Sequence, residues 1–349
     1  MKVLHLSTFD RINGASIAAY RLHRGLLASG IASRMFVQNK VSGDPTVIGP
    51  GRGMRKYLAL SRPWLDRLPL LLAGAFRDAL SSPSWLPRRF SKILRQVEPD
   101  VVHLHWVQGG FLSVRSVKNI NLPIAWTFHD QWTISGLRQI PFLADVQPSR
   151  IYRAWDQHLM RLKSKDLPRE RILAIAPSGW MKKMADESMV WDGRPVMNLA
   201  NPIDTSVFCG IDRKVARRLL GIPFEGKLIL FGSEAGTNDL RKGFDLLSKA
   251  CLQLSAEGVN FDLVCLGHGD SIDLGPIRCH SLGWLHDECS LAIAYSAADL
   301  VVIPTRVDNL PNTAVEASAC GRPVVSFAIG GIPDIVDDGE NGFLCPAED

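Results

Sequence analysis

A chain of 349 residues, 46% of them hydrophobic, has length for two domains and apolar side chains for two buried cores. No uncharged apolar run approaches the ~20 residues that cross a bilayer, and the opening MKVLHLSTFD turns charged at Asp10 without a cleavage site, which favours a first strand over a secretory leader. The net charge of +5 conceals an imbalance: 29 Lys and Arg against 14 Asp and Glu in residues 1–200, and 11 against 21 in residues 201–349.

Short β-rich runs alternate with helical patterns along the whole chain, which is how parallel α/β sheets read. VLHLST (3–8) predicts a first strand, a helix follows near 15–29, and RMFVQ (34–38) is a second strand. The segment 51–95 breaks the pattern, being rich in Arg, Pro, Leu and Trp. DVVHLHW (100–106), IAWTFH (124–129), ILAIAPS (172–178) and PVMNLAN (195–201) supply further strands, apolar until their polar ends as buried parallel strands should be. NPIDTSVF (201–208) marks the junction between domains 1–200 and 201–349. Beyond it, KLILFGS (227–233), FDLVCLG (261–267), IRCHSLG (277–283), LVVIPT (300–305) and PVVSFA (323–328) alternate with helices at 212–220, 243–256, 287–298 and 312–320. The expected fold class is α/β, two doubly wound, Rossmann-like parallel-sheet domains facing a cleft, with ligands at the carboxyl ends of the strands.

The basic first half attracts anions such as membrane headgroups, a pyrophosphate-linked lipid or nucleic acid. Nucleic acid is the weakest of these, because no helix-turn-helix, zinc or RNP pattern accompanies the charge. Seven cysteines, an odd count without a C-x-x-C pair, fit reduced thiols of a cytoplasmic protein and offer no zinc spacing. In HLHW (103–106) the alternation places His103 and His105 on one strand face, but no third ligand is evident, so no metal site is expected.

The most informative stretch is PTRVDNLPNTAVEASACGRPVVSFAIGGIPDIV (304–336), a strand, loop, helix and strand. A helix opening at Pro311 would turn the backbone amides of Asn312 and Thr313 toward an anion. Asp308 stands just outside that helix, and Glu316 lies one and a half turns inside, where a carboxylate can accept two hydroxyl hydrogen bonds. After the strand KLILFGS, Arg241 and Lys242 in LRKGFDLL (240–247) offer a fork and a point charge to phosphate. GHGDS (267–271) is a weak glycine turn. In INGASIAAYRLHRGLLASG (12–30), Gly14 and Ser16 open a helix that can receive an anion or simply be capped. TFHDQWTISG (127–136) puts His129 and Asp130 at a strand end.

DNLPNTAVEASACGRPVV is similar to the E-x7-E region of family four retaining glycosyltransferases, in the version found in polysaccharide-assembly enzymes of the colanic-acid type. The resemblance covers nearly the whole chain, loosely in the first half and tightly over 227–345. It implies a GT-B fold and a nucleotide-diphosphate sugar as co-substrate, with no cofactor. It also implies that Asn312 and Thr313 contact the donor pyrophosphate, with Asn309 beside them, that Glu316 holds the ribose and that Asp308 faces the donor sugar. Asp308 stands where the family most often has Glu. Lys242 matches the family lysine that stabilises the departing phosphates, whereas Ser233 occupies the family's arginine position and Arg241 is expected to substitute. Gly14 and Ser16 belong to the loop flanking acceptor and donor phosphate, and His129 contacts the donor sugar at the reacting centre. Family members carry further helices after the region matched by GIPDIVDDGENGFLCPAED, so the expectation is that C-terminal crossover helices are missing here.

Strict D-x-D is absent, and basic side chains with helix-end amides can do a metal's electrostatic work on the leaving diphosphate. The expected activity is metal-independent sugar transfer with retention onto a polysaccharide or lipid-linked glycan, during exopolysaccharide assembly. Trp64, Trp85 and leucines interleave with Arg55, Lys56, Arg67, Arg77, Arg88 and Arg89. That stretch fits either a peripheral contact with an anionic inner membrane surface or a packed surface helix pair. The alternative from another class is a non-catalytic nucleotide-binding or scaffold module.

Overall fold

The computed structural model describes every residue except 76, 77, 79, 142–146, 223–224, 235, 269–271 and 348–349. Arg77 of the basic stretch and residues 269–271 of the glycine turn therefore lie outside the described residues. The chain divides into two compact units, Met1–Pro202 and Ile203–Asp349. Eight of the nine tryptophans fall in the first and all seven cysteines in the second.

The first unit is a seven-stranded sheet. Its strands are β1 (Lys2–Phe9), β2 (Ala32–Asn39), β3 (Val47–Ile48), β4 (Val101–Leu104), β5 (Ile124–Thr127), β6 (Ile172–Ala176) and β7 (Val196–Asn198). All pairings are parallel, in the order β3-β2-β1-β4-β5-β6-β7. The helices are α1 (Gly14–Ala28), α2 (Met54–Asp66), α3 (Ser91–Val97), α4 (Val114–Lys118), α5 (Arg150–Asp166) and α6 (Gly179–Asp186). β1 is buried on both faces: Leu4 and Leu6 enter the main core with Trp126, Phe128 and Trp132, while His5 and Ser7 point to the other side. Each fully buried Leu or Val contributes roughly 1.5–3 kcal/mol.

The seventeen-residue α5 is absent from the sequence reading, its inner face mixing apolar side chains with a lysine. That face buries Tyr152, Leu159 and Lys163. The Lys163 ammonium donates to the carbonyls of Ser135 and Gly136 at 2.9 and 2.8 Å, and to that of Trp132, while lying over the Trp132 ring. Burial pushes its pKa well below the usual lysine value. Asp156 of the same helix accepts from the Leu137 amide at 2.7 Å. α5 thus clamps the loop that follows β5.

Among the described residues, the basic stretch holds α2, a short turn at Leu68–Leu70 and the start of α3 at Ser91. Ala59 and Asp66 face inward, whereas Met54, Tyr57, Leu58, Trp64, Leu71 and Leu72 are exposed.

The second unit has strands β8 (Lys227–Gly232), β9 (Phe261–Leu266), β10 (Cys279–Gly283), β11 (Leu300–Ile303), β12 (Val324–Phe327) and β13 (Gly342–Cys345). They pair in parallel in the order β10-β9-β8-β11-β12-β13. Its helices are α7 (Arg213–Leu219), α8 (Phe244–Ala256), α9 (Glu288–Ala297) and α10 (Asn312–Ala319). Alternation along β8 feeds two cores: Leu228 and Leu230 pack with Ala314 and Ala317 of α10, and Ile229 and Phe231 with Leu247 and Cys251 of α8. The edge strands β3 and β13 were not expected.

Candidate functional site

In the second unit the chain runs outward from β8 through β9 to β10 and then crosses back to β11 on the other side of β8, so the topological switch lies between β8 and β11. The loops leaving those two strands meet there. After β8, a short turn at Leu240–Lys242 delivers Lys242; after β11, the loop before α10 delivers Asp308. The Lys242 ammonium donates to Asp308 Oδ2 at 2.6 Å. Two residues singled out separately are thereby one ion pair, with side chains 31% and 18% exposed, open enough to meet a ligand.

Glycines make that meeting possible. Gly243 has φ +70°, and a β-carbon there would sit 1.8 Å from the Pro304 carbonyl oxygen. Gly330, at φ +55°, would place one 1.8 Å from the Asp308 carbonyl oxygen. Backbone therefore packs directly on backbone beneath both charged side chains. Hydrogen bonds lace the two loops further. Arg306 donates its amide to the Arg241 carbonyl at 2.8 Å and closes a fork on Asp245, both contacts being 2.8 Å. The Thr305 hydroxyl donates to the same Arg241 carbonyl at 2.9 Å.

Arg241 forks onto Asp239 at 2.9 and 2.6 Å within its own turn, with its side chain 33% exposed. Ser233, at the family's arginine position, is buried, and its hydroxyl has no hydrogen-bond partner among the described residues. Pro311 is the cap of α10, extended at φ −66° and ψ 120°, and helical geometry begins one residue later at Asn312. No side chain caps that end, because proline has none to offer. Asn309, Asn312 and Thr313 are half-buried, and Thr313 lies across from Gly232 at the end of β8. Glu316 is buried and accepts the Tyr295 hydroxyl of α9 at 2.7 Å on Oε2.

In the first unit the switch lies between β1 and β4. Gly14 is exposed as the first residue of α1. Ser16 is fully buried, and its hydroxyl accepts from the Ile12 and Asn13 amides at 3.0 Å while donating to the Asn13 carbonyl at 2.9 Å. The side chain is saturated as half of a capping box with Asn13 and has nothing left for a ligand.

His129 follows β5 and is half-buried, its Nε2 3.1 Å from His105 Nδ1. Burial, with His103 nearby, pulls its pKa down to about 3, so the ring is neutral near pH 7. Asp130 accepts from Trp106 Nε1 at 2.8 Å, Gln108 Nε2 at 2.9 Å and the Trp132 amide at 2.9 Å. Its pKa nevertheless rises to about 6, because burial outweighs those bonds. The pair is tied into the loop clamped by Lys163.

His103 and His105 do share a face, with ring centroids 4.2 Å apart. The expectation of no third ligand nearby is overturned: His5 of β1 is in register with His103, and nitrogens of His5, His103 and His105 lie within 4.8 Å of one another. The signal was present as matching V-L-H-L (3–6) and V-V-H-L (101–104) runs in strands that turn out to be neighbours. Tyr295, Arg306 and Asp245 were also missed, since nothing local marks a hydrogen bond between distant segments.

Solved structures share this architecture along the whole chain. Sucrose-phosphate synthase from Thermosynechococcus elongatus matches with a TM-score of 0.69 at 18% identity, covering 100% of this chain and 87% of that one. Anabaena HepE in complex with UDP and glucose matches at 0.66 and 16%, covering 100% and 86%. The class so defined is the GT-B glycosyltransferase fold. Residues 226–349 match the description "Glycosyl transferases group 1", and residues 12–207 match "Glycosyltransferase Family 4". The chain belongs to Glycosyltransferase Family 4 and is an enzyme of that class, not a non-catalytic module. Among curated proteins it is 26% identical to a D-inositol 3-phosphate glycosyltransferase of Xylanimonas cellulosilytica over 100% of this chain and 84% of that protein. A protein of the same name from Mycobacterium leprae is 26% identical over 91% and 73%. These relatives carry inositol phosphate names and none of the colanic-acid type.

Proposed function

We propose that the enzyme transfers a sugar, with retention, from a nucleotide-diphosphate donor held in the second unit to a glycan acceptor. The observation that carries the reading is the Lys242–Asp308 pair at the β8/β11 switch, beside the uncapped amino end of α10. Ligands of open parallel sheets bind at such a switch, and a helix start attracts a diphosphate. In this reading the α10 amides of Asn312 and Thr313, with Asn309 beside them, take the pyrophosphate. Lys242 neutralises the charge that develops as the diphosphate departs. Glu316, oriented by Tyr295, accepts the ribose hydroxyls. Asp308 aligns Lys242 and meets the sugar, while family resemblance assigns Gly14 to the phosphate-flanking loop and His129 to the sugar. These side chains supply the leaving-group stabilisation without a metal. The acceptor hydroxyl attacks on the face that the diphosphate leaves, and a donor phosphate oxygen takes its proton.

The test is a screen of nucleotide-diphosphate sugars for thermal stabilisation, since a ligand of the native state raises the melting temperature. Uridine donors come first, because HepE is seen with UDP and with UDP-glucose. A stabilising donor that also releases nucleotide in the presence of acceptor supports the reading; no stabilisation by any such donor overturns it.

For the acceptor, the exposed Tyr57, Leu58, Trp64, Leu71 and Leu72 among exposed Arg52, Arg55 and Lys56 support a lipid-linked glycan at an anionic membrane face, as in exopolysaccharide assembly at the inner cytoplasmic surface. A second reading, a small phosphorylated acceptor, is favoured by the names of the relatives. Offering both acceptors with the stabilising donor separates them: only one should accelerate nucleotide release.

A further inference from the structure

We propose that Arg88 binds the phosphate of a phosphorylated acceptor at the carboxyl edge of the first unit's sheet, with Gln38 aiming its guanidinium and Arg62 adding to the field. That the phosphate belongs to an acceptor rests on the transfer reaction proposed above; that the site takes a phosphate does not.

Separate segments of the first unit assemble the site. Gln38 lies next to the end of β2, and its Nε2 donates at 2.9 Å to the Gly109 carbonyl, in the loop that follows β4. Gln38 Oε1 accepts from Arg88 Nη1 at 3.2 Å. The guanidinium carbon of Arg88 lies 5.1 Å from the Phe36 ring centroid and 4.8 Å from that of Phe111, within cation–π range. Arg62 of α2 closes another side. Its Nε donates to the Gly110 carbonyl at 2.5 Å, and its Nη2 to the Leu86 and Pro87 carbonyls, both at 3.2 Å. Gly109 and Gly110, at φ +62° and +71°, permit that approach, since a β-carbon on Gly110 would lie 2.7 Å from the Arg62 carbonyl oxygen.

Charge selects the ligand. Arg62 has Asp66 one helical turn away, a buried carboxylate that accepts from the Ser82 hydroxyl at 2.6 Å. Arg88 is half-buried and has no carboxylate at ion-pair distance among the described residues. Its neighbour along the chain, Arg89, is a further exposed cation. Burial lowers the pKa of both guanidiniums, that of Arg88 to about 10 with Arg62 as the second cause, so both remain charged at pH 7. Water can hydrate a half-buried guanidinium but cannot balance its charge, whereas a phosphate dianion does. Gln38 occupies Nη1 and leaves the Nε–Nη2 edge, a fork that matches two phosphate oxygens.

The place suits an acceptor. The loop that receives Gln38 and Arg62 also carries Gln108, whose amide donates at 2.9 Å to Asp130, beside His129. It borders the switch between β1 and β4, where an open parallel sheet takes its ligand. A small phosphorylated acceptor and a glycan on a lipid diphosphate share this phosphate chemistry.

The experiment is calorimetry of the full chain, with and without saturating UDP, using two probe pairs. One is an inositol monophosphate against inositol; the other is glucose on farnesyl diphosphate against glucose on farnesol, in detergent. In at least one pair the phosphorylated member should bind about tenfold to a hundredfold tighter, the range expected of hydrogen bonds to charged groups. The pair that does so tells a free phosphate from a lipid-borne one. Arg88→Met, whose side chain still packs on Phe36 and Phe111, should abolish the preference and leave UDP affinity unchanged. Arg88→Lys should keep part of it, and Gln38→Leu, which leaves the cation unaimed, should also reduce it. Those two variants carry the test if Arg88→Met does not fold. A preference that survives in all three variants, or is missing from the wild type in both pairs, overturns the proposal. So does a UDP affinity that falls in parallel with it. Phosphate preference in an enzyme that turns over no donor would sink the proposed function and leave the phosphate site standing.

Discussion

Lys242 and Asp308 neutralise each other at 2.6 Å, so a diphosphate entering the site competes with a carboxylate for one ammonium. The two residues should therefore respond oppositely in binding and alike in turnover. Lys242→Ala removes the cation facing the departing phosphates and should lower kcat by roughly 10²–10³-fold, the usual effect of deleting one preorganised charge partner. Asp308→Asn releases Lys242 and should tighten nucleotide binding while slowing transfer. Calorimetry with UDP and initial rates check the pair; weaker nucleotide binding by Asp308→Asn would contradict this account. Both residues were legible in the sequence because each sits in a short, recognisable loop. Arg241 and Ser16 were legible as residue types, whereas the groups that hold them were not. Asp239 closes on the one, and the Asn13 capping box consumes the other. Local spacing alone does not separate a ligand-binding polar group from one that completes a turn.

At the scale of elements, the site depends on where backbone touches backbone. Gly243 and Gly258 both have positive φ, at +70° and +84°, but only Gly243 abuts another chain segment, the Pro304 carbonyl. Alanine at either position carries the left-handed cost of roughly 1–2 kcal/mol. At Gly243 the loops must also part. Gly243→Ala should therefore lower the melting temperature by more than Gly258→Ala and abolish most activity, whereas Gly258→Ala keeps it. Equal activity in the two variants, measured at a temperature where both are folded, would count against the contact. Most strands were readable because parallel strands buried on both faces are short apolar runs. α5 was not: its inner face includes Lys163, which reads as solvent-facing until the carbonyls of residues 132–136 are seen around it. His5 was overlooked for a different reason: its neighbours are supplied by a strand pairing about a hundred residues away, which periodicity does not encode.

The whole molecule should be acid-labile in its first unit. Burial lowers the pKa values of His23 and His103 to about 4 and of His129 to about 3, and depresses His5 and His105 as well. Below pH 6.5 the unfolded chain protonates these rings while the folded one does not, so stability is present above that pH and lost as it falls toward 4. Each ring contributes up to roughly 1.4 kcal/mol per pH unit in that window. Asp130 has the opposite sign: raised to about 6, its contribution is present in acid and fades as pH rises through 6. Five imidazoles outweigh one carboxyl. Urea midpoints followed by tryptophan fluorescence should therefore fall markedly from pH 7 to pH 5, and a flat profile would contradict the buried neutral cluster. The exposed apolar face of α2 leads to a second expectation at this scale. Vesicles with anionic lipid should sediment the enzyme, neutral vesicles should not, and reversing Arg52, Arg55 and Lys56 to Glu should abolish the difference; equal recovery from both kinds would remove the membrane-facing acceptor.

The uneven placement of tryptophan and cysteine turns the protein into an instrument with two independent channels. Indole emission comes almost wholly from the unit carrying the buried imidazoles, and thiol labelling, easiest at the exposed Cys209 and Cys289, comes only from the unit carrying the Lys242–Asp308 pair. One unmodified sample can thus reveal whether a nucleotide that protects the thiols also quiets the indoles, and so whether occupancy of one lobe is felt by the other.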